Sequence, residues 1–401
     1  MAKRKVFHIH SDVKFIDDTI RFEGDVFDNT VVIIGKKSTY KGYYSENASY
    51  CESSPQALQN LVTICSQADL VVLYSLNTDK CFLANRLPDT VKIAWRFFGY
   101  ELYSKRPSSV LSKSTNKYKK RYNIGMFSFL KIYLSKIKHF DKYIESRRAV
   151  NRIDCFLGLS DYEYDVLKLN WPNLPNFVQL PFLDREVNFI YEQKRNVIVI
   201  GNNRNRYNNH LDVLGIISDS KNQLNYTYII FFSYGSYNIY TDAVRKAANK
   251  IKSVKFIERF LAKDDFTEVY THASAFVMNG YRQMAMGNIF TAICNGLKVY
   301  LNEKNIIYHW LKKEGYNIYS IKDFASDIEN DNIKFTSEEM KYNIAQYHQM
   351  VKKYTVEDFQ SKMHSLISKK PESNIMNITL PNNIHNKVIY SFCCLLSVYL
   401  C

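Results

Sequence analysis

The chain has 401 residues, 46% of them hydrophobic, and its 54 Lys/Arg against 39 Asp/Glu give a formal charge of +15. That apolar content excludes a disordered chain, and the length exceeds what one core ordinarily fills, so two domains are expected. The eight cysteines form no C-x-x-C pair and no zinc spacing; they read as reduced core residues of a cytosolic protein.

The first residues, MAKRKVFHIHSD, are basic and run straight into a strand pattern, so no secretion signal is expected. No run approaches the ~20 apolar residues that span a bilayer. The apolar tail at residues 388–401 is too short for that.

Residues 5–10 and 30–34 read as strands. Residues 55–66 read as a helix with Leu58, Leu61, Val62 and Cys65 on one face and Ser53-Ser54 as cap candidates. Strands follow at 69–74 and 91–97. Residues 105–152 then carry fourteen Lys/Arg against only Asp141 and Glu145, a net +12, so one segment holds most of the charge. A strand at 154–159, a helix at 161–169 and a strand at 177–180 close the first half. The second half repeats the rhythm, with strands at 197–200, 226–232, 254–257, 275–278, 298–301 and 317–320 and helical segments within 337–369. Strands alternating with helices make βαβ units and parallel sheets. The expected fold is α/β and GT-B-like, two Rossmann-like doubly wound domains with a cleft between them. The expected boundaries are a first domain at 1–181, a linker at 182–195, a second domain at 196–330, C-terminal helices at 331–370 and a tail of no assigned role at 371–401.

Two turns carry the chemistry. The first follows the apolar run 197–200: Gly201, Asn202 and Asn203, then a helix start at Asn208, Asn209 and His210. The second follows 275–278: Asn279, Gly280, Arg282 and Gln283, with Gly287 and Asn288 opening an apolar helix. A Gly turn feeding a helix N-terminus presents backbone N–H groups and a partial positive charge to an anion. Arg282 suits two oxygens of a diphosphate. Ser233, Tyr234 and Gly235 end a third strand and can join the same rim. Open α/β sheets bind ligands at such strand ends.

The segments GNNRNRYNNH, SYG, FLAKDDF, NGYRQMAMGNI and GLKVYLNEKN, in this order, resemble the bacterial family 56 glycosyltransferases. These are TDP-N-acetylfucosamine:lipid II N-acetylfucosaminyltransferases of enterobacterial common antigen synthesis. HIHSDVKFI and WRFFGYELY in the first half resemble them too, and the resemblance covers residues 5–321. It implies a GT-B fold, a dTDP-sugar donor, a polyprenyl-diphosphate-linked acceptor and peripheral attachment to the cytoplasmic face of the bacterial inner membrane. The first domain would then bind the acceptor. Gly201, Asn202, Asn203, Asn208 and Asn209 would face the donor phosphates. Arg282, Gln283, Gly287 and Asn288 would hold the diphosphate and sugar, and Phe260 and Leu261 would border the base.

Inversion at the anomeric carbon needs a base for the acceptor hydroxyl. Asp12, after the first strand, is the first choice and Glu101 the second; Asp12 also suits a turn cap and Glu101 a helix start. No metal site and no cofactor are expected, and the enzyme would be a metal-independent hexosyltransferase of fucosyltransferase type. Lys117, Lys119, Lys120 and Arg121, interleaved with aromatics, suit an anionic membrane surface and a lipid-diphosphate acceptor. Nucleic acid is not expected as a partner. The expected reaction moves a 4-acetamido-4,6-dideoxy or fucose-like sugar from a dTDP-sugar onto a lipid-linked oligosaccharide of a surface polysaccharide. The alternatives are a GT-B-fold sugar-nucleotide epimerase and a non-enzymatic basic protein that binds nucleic acid or membrane.

Overall fold

The computed structural model of the chain describes residues 2–11, 15–35, 47–103, 107–118, 140–169, 171–182, 185–191 and 194–369. Met1–Ser368 form one compact unit that contains two lobes, each built on its own parallel sheet.

The first lobe runs β1 (Arg4–His10), β2 (Phe27–Ile34), β3 (Ser49–Cys51), α1 (Pro55–Cys65), β4 (Leu70–Tyr74), α2 (Thr78–Ala84), β5 (Lys92–Arg96), α3 (Tyr100–Tyr103), α4 (Lys113–Asn116), α5 (Phe140–Arg152), β6 (Cys155–Gly158), α6 (Asp161–Lys168) and β7 (Asn176–Gln179). Its spatial order is β3-β2-β1-β4-β5-β6-β7. A parallel strand covered on both faces must be apolar throughout, and all five residues of β4 are buried. Helix α1 forms as its sequence dictates. Pro55 opens it, the Ser54 side chain accepts from the Ala57 N–H, and Leu58, Leu61, Val62 and Cys65 are buried.

The second lobe runs β8 (Val197–Ile200), α7 (His210–Asp219), β9 (Thr227–Phe231), α8 (Ile239–Ala248), β10 (Val254–Ile257), α9 (Lys263–His272), β11 (Ala275–Met278), α10 (Met286–Cys294), β12 (Lys298–Leu301), α11 (Ile306–Lys313), β13 (Ile318–Ser320), α12 (Ile321–Glu329), α13 (Ser337–Lys353) and α14 (Val356–Ser368). Its order is β10-β9-β8-β11-β12-β13. Both sheets therefore reverse their winding once, between β1 and β4 and between β8 and β11. The carboxyl ends of those central strands are where a crevice opens in such sheets.

The C-terminal helices divide between the lobes. On α13, Tyr347 packs tilted against Phe290 of α10, 6.2 Å between ring centroids. Helix α14 returns to the first lobe. Phe359 meets Phe22 edge-on at 5.1 Å, and the Gln360 amide donates to the Arg21 and Glu23 carbonyls at 3.1 and 2.6 Å. One buried cluster accordingly joins Val6 and Leu70 of the first sheet, Val199 and Phe276 of the second, and Phe359 and Met363 of α14. Among the described residues no helix is long and apolar enough to cross a membrane.

Candidate functional site

The first turn is built by asparagines. Gly201 has φ +64°, and a Cβ there would lie 2.7 Å from His210 Nε2 and 2.9 Å from Asn208 Oδ1. Only glycine fits that conformation and that space. Asn208 Oδ1 accepts from the Asn202 N–H at 3.0 Å, and its Nδ2 donates to Asn203 Oδ1 at 3.0 Å. Asn203 Oδ1 also accepts from the Asn205 N–H at 2.7 Å. His210 backs the turn. Tyr240 Oη lies 2.9 Å from its N–H and 3.0 Å from Nδ1, and burial pushes the imidazole down to about 3, so it is neutral.

The second turn lies beside the first because β8 and β11 pair: the Gly201 N–H donates to the Val277 carbonyl at 3.0 Å. A reciprocal pair fastens the two turns. Asn209 Nδ2 donates to the Asn279 carbonyl at 3.1 Å, and Asn279 Nδ2 donates to the Asn209 carbonyl at 3.2 Å. Asn209 also reaches the first lobe, where its Oδ1 accepts from the Ser112 N–H at 2.9 Å. Asn202 and Gln283, the outer members of the two turns, thus stand at the same end of one sheet.

Helix α10 begins just beyond, after Ala285 in a left-handed conformation. The Ile289 N–H is the first to donate back, to the Ala285 carbonyl at 2.9 Å. The amides of Met286, Gly287 and Asn288 therefore form the open first turn. Nothing lies within 4 Å of a Cβ at Gly287. The Asn288 side chain turns away and donates to Tyr270 Oη at 2.8 Å. Arg282 donates from Nη1 to the Gln283 carbonyl at 3.2 Å, and its guanidinium lies 5.1 Å from the Tyr207 ring and 5.5 Å from the Tyr103 ring. Its Nε is buried with no hydrogen-bond partner among the described residues, and burial lowers its pKa from the ordinary arginine value.

The third rim joins the first turn, since Asn202 Nδ2 donates to Tyr234 Oη at 3.1 Å. Ser233 is half-buried, and Gly235 lies with φ +106° against the Arg204 side chain. Arg204 is buried and engaged: it donates to the Phe232 and Glu258 carbonyls at 2.6 and 3.2 Å and stacks on Tyr237 at 3.9 Å. It ties three strand ends together. On the same side Phe260 is 85% exposed and Leu261 half-buried.

The first lobe supplies the facing wall. Asp12, Lys119, Lys120 and Arg121 lie outside the described residues; Lys117 is described and exposed. His8 and His10 are buried and bonded, His8 to Asn29 and Tyr74 at 2.9 and 3.1 Å, and His10 to Thr19 at 3.4 Å. Burial pushes their pKa values down to about 4 and about 2. Asp18 is clamped by Arg21 at 2.7 Å and Arg96 at 3.0 Å.

Glu101 is buried in α3, so it is both a helix-start residue and a carboxylate of this wall. Its Oε1 accepts from the Leu76 N–H at 2.8 Å and from Trp95 Nε1 at 3.3 Å, while Oε2 is buried with no partner among the described residues. Beside it stands Glu163 of α6. Glu163 is 2% exposed. Burial pushes its carboxyl up to about 8, with the neighbouring Glu101 adding to this and Arg96 and Arg282 opposing it. The Tyr103 hydroxyl donates to it. The only signal in the sequence was the run Ser160-Asp161-Tyr162-Glu163, the pattern of a helix cap, and Ser160 does accept from the Glu163 N–H at 3.4 Å.

A cavity of about 500 Å³ opens at the opposite, amino-terminal edge of the second sheet, among Asn196, Thr227, Lys255, Glu268 and His272. It is remote from both turns.

No protein-family model matches the sequence, and no curated protein does. Among solved structures the chain is similar to Anabaena HepE in complex with UDP, at TM-score 0.60 and 9% identity, over 91% of this chain and 99% of that one. It is similar to the lipopolysaccharide outer core galactosyltransferase WaaB at TM-score 0.56 and 10% identity, over 90% and 99%. It spans 59% of the pneumococcal O-GlcNAc transferase GtfA, at TM-score 0.48 and 12% identity over 78% of this chain. The likeness to HepE and WaaB shows the fold alone: two Rossmann-like domains of the GT-B type.

Proposed function

We propose that this chain is a glycosyltransferase that takes a sugar from a nucleotide-sugar donor. The observation that carries the reading is the pair of strand-end turns, Gly201–Asn203 and Asn279–Ala285, fastened side by side by Asn209 and Asn279 at the switch point of the second sheet, the second of them opening α10. The open N-terminus of α10 and Arg282 there suit a diphosphate. Such a helix end contributes ~0.3–1 kcal/mol toward an anion, up to ~2 when partly buried. HepE, a protein of the same fold, is known with UDP and with UDP and glucose.

In this reading the diphosphate lies between the two turns, the base lies by Tyr234 and Phe260, and the sugar faces the first lobe. The acceptor hydroxyl attacks the anomeric carbon as the carbon–oxygen bond to the diphosphate breaks. Its proton passes to a carboxylate of the first lobe, Asp12 or Glu101. The charge left on the diphosphate is met by Arg282 and the amides of Met286 and Gly287. The Gly201 turn backs it, with Asn203, Asn208 and Asn209 acting as its frame. The resemblance to family 56 refines the proposal to a dTDP-linked 4-acetamido-4,6-dideoxy or fucose-like sugar and a polyprenyl-diphosphate acceptor. The basic segment 105–152 would hold the enzyme on the inner membrane face.

The test is thermal unfolding of the full chain against UDP-, dTDP-, GDP- and CDP-sugars. A ligand at about 100 times its Kd adds about 2.7 kcal/mol. A rise in Tm with one nucleotide class, greatest for dTDP-sugars, is expected. No shift with any of them contradicts the reading.

A further inference from the structure

One polar contact joins a side chain of the second turn to a carboxylate of the first lobe. The Gln283 side-chain amide, from the second lobe, lies against both carboxylate oxygens of Glu163, from the first. Both residues are buried, at 8% and 2% exposure. An ionised carboxyl has only acceptors to offer and must take the amide NH₂. A neutral carboxyl has a proton to give and is satisfied by the amide oxygen instead. The state of Glu163 therefore decides which end of Gln283 is turned away from it.

Arg282, the neighbouring residue, follows the same group. Its guanidinium stands over Tyr103, whose hydroxyl donates to Glu163. An ionised Glu163 competes with any diphosphate for that guanidinium; a neutral one does not.

We propose, resting on the diphosphate reading above, that Glu163 is a positioning residue for the donor. As a neutral acid it holds the Gln283 oxygen, leaves the amide NH₂ for a phosphate oxygen, and leaves the Arg282 charge to the ligand. Once ionised, it engages the NH₂ and the guanidinium itself.

The groups facing the Glu163 carboxyl are Arg96 from β5, Glu101 and Tyr103 from α3, and Arg282 with Gln283 from the second turn. Helix α11 packs on the other face of α6, where Lys313 meets Asp161 and His309 stacks on Tyr162. Burial pushes Tyr103 far above the alkaline range and holds the Glu163 carboxyl up to about 8, so Glu163 changes charge between about pH 7 and 9.

The experiment measures the Kd of UDP and of dTDP at about pH 7 and pH 9 for the wild type, Glu163→Gln and Glu163→Ala. In the wild type the competent fraction falls with ionisation, so affinity weakens about tenfold across that interval. Glu163→Gln, a permanent neutral mimic, is expected to keep its pH 7 affinity at pH 9. Glu163→Ala is expected to bind weakly at both. The unliganded wild type should also lose stability as pH rises from the ordinary carboxyl range through about 8, because the unfolded chain ionises first, and Glu163→Gln should not. If Glu163→Gln weakens with pH as the wild type does, or the wild type does not respond, the proposal is overturned while the diphosphate reading stands. If the folded wild type binds neither diphosphate at either pH, the reading itself falls, and this proposal with it.

Discussion

Two glycines at the site do opposite work. Gly201 is imposed by the fold: φ +64° and two side-chain atoms within 3 Å of a Cβ leave no room for alanine. Gly287 faces open space in the first turn of α10, where alanine is the better helix former by about 0.5–1 kcal/mol. The fold alone thus gives no reason for glycine at 287, whereas close approach of a ligand to its backbone does. Gly287→Ala is expected to leave stability level or raise it by up to ~1 kcal/mol in urea unfolding. The same variant is expected to weaken nucleoside-diphosphate binding. Unchanged affinity would remove Gly287 from the donor site. Gly201→Ala is expected to cost on the order of 1–3 kcal/mol of stability.

Gly201 was legible because its role is local, a tight turn directly after an apolar strand. Asn208 and Asn209 were legible as turn residues, but their amides face inward, onto Asn203 and Asn279. Glu163 was hidden because a capping pattern accounts for it completely. Its burial by Gln283 and Tyr103 arises only when distant segments meet.

At the scale of elements, the buried parallel strands were readable because nothing polar interrupts them. Eleven of the twelve expected strands match the observed bounds within one residue at each end, among them Leu70–Tyr74 and Val197–Ile200. Strand β3 was not readable: three residues at a sheet edge carry no periodicity. Strand β2 starts at Phe27, earlier than its apolar run, because polar Asn29 is drawn in by His8 and the Phe22 carbonyl at 2.9 and 2.8 Å.

The basic segment 105–152 is the element with the most unassigned charge. At an anionic surface each Lys or Arg contributes ~1 kcal/mol. Neutralising Lys117, Lys119, Lys120 and Arg121 together is expected to reduce sedimentation with phosphatidylglycerol vesicles at least about tenfold while nucleotide affinity holds. Equal sedimentation would refute the membrane role.

At the scale of the molecule, two sheets share one winding and a C-terminal helix crosses back from the second lobe to the first. The alternation of strands and helices announced the two sheets. The return of α14 did not show, because Phe359 and Gln360 look like any amphipathic helix until Phe22 and the Arg21 carbonyl are placed beside them. That return ties the end of the chain to the first lobe, and elsewhere between the lobes Glu163 and Tyr103 reach Gln283 and Arg282.

The central claim is that a diphosphate lies between the two turns of the second lobe. Calorimetric titration of wild type and Arg282→Ala with the nucleoside diphosphate that stabilises the chain most, and with its monophosphate, tests this most directly. A hydrogen bond to a charged group is worth ~1.5–3 kcal/mol. The diphosphate is therefore expected to lose about 10–100-fold in affinity in Arg282→Ala, and the monophosphate much less. Equal diphosphate affinity in the two proteins would contradict it.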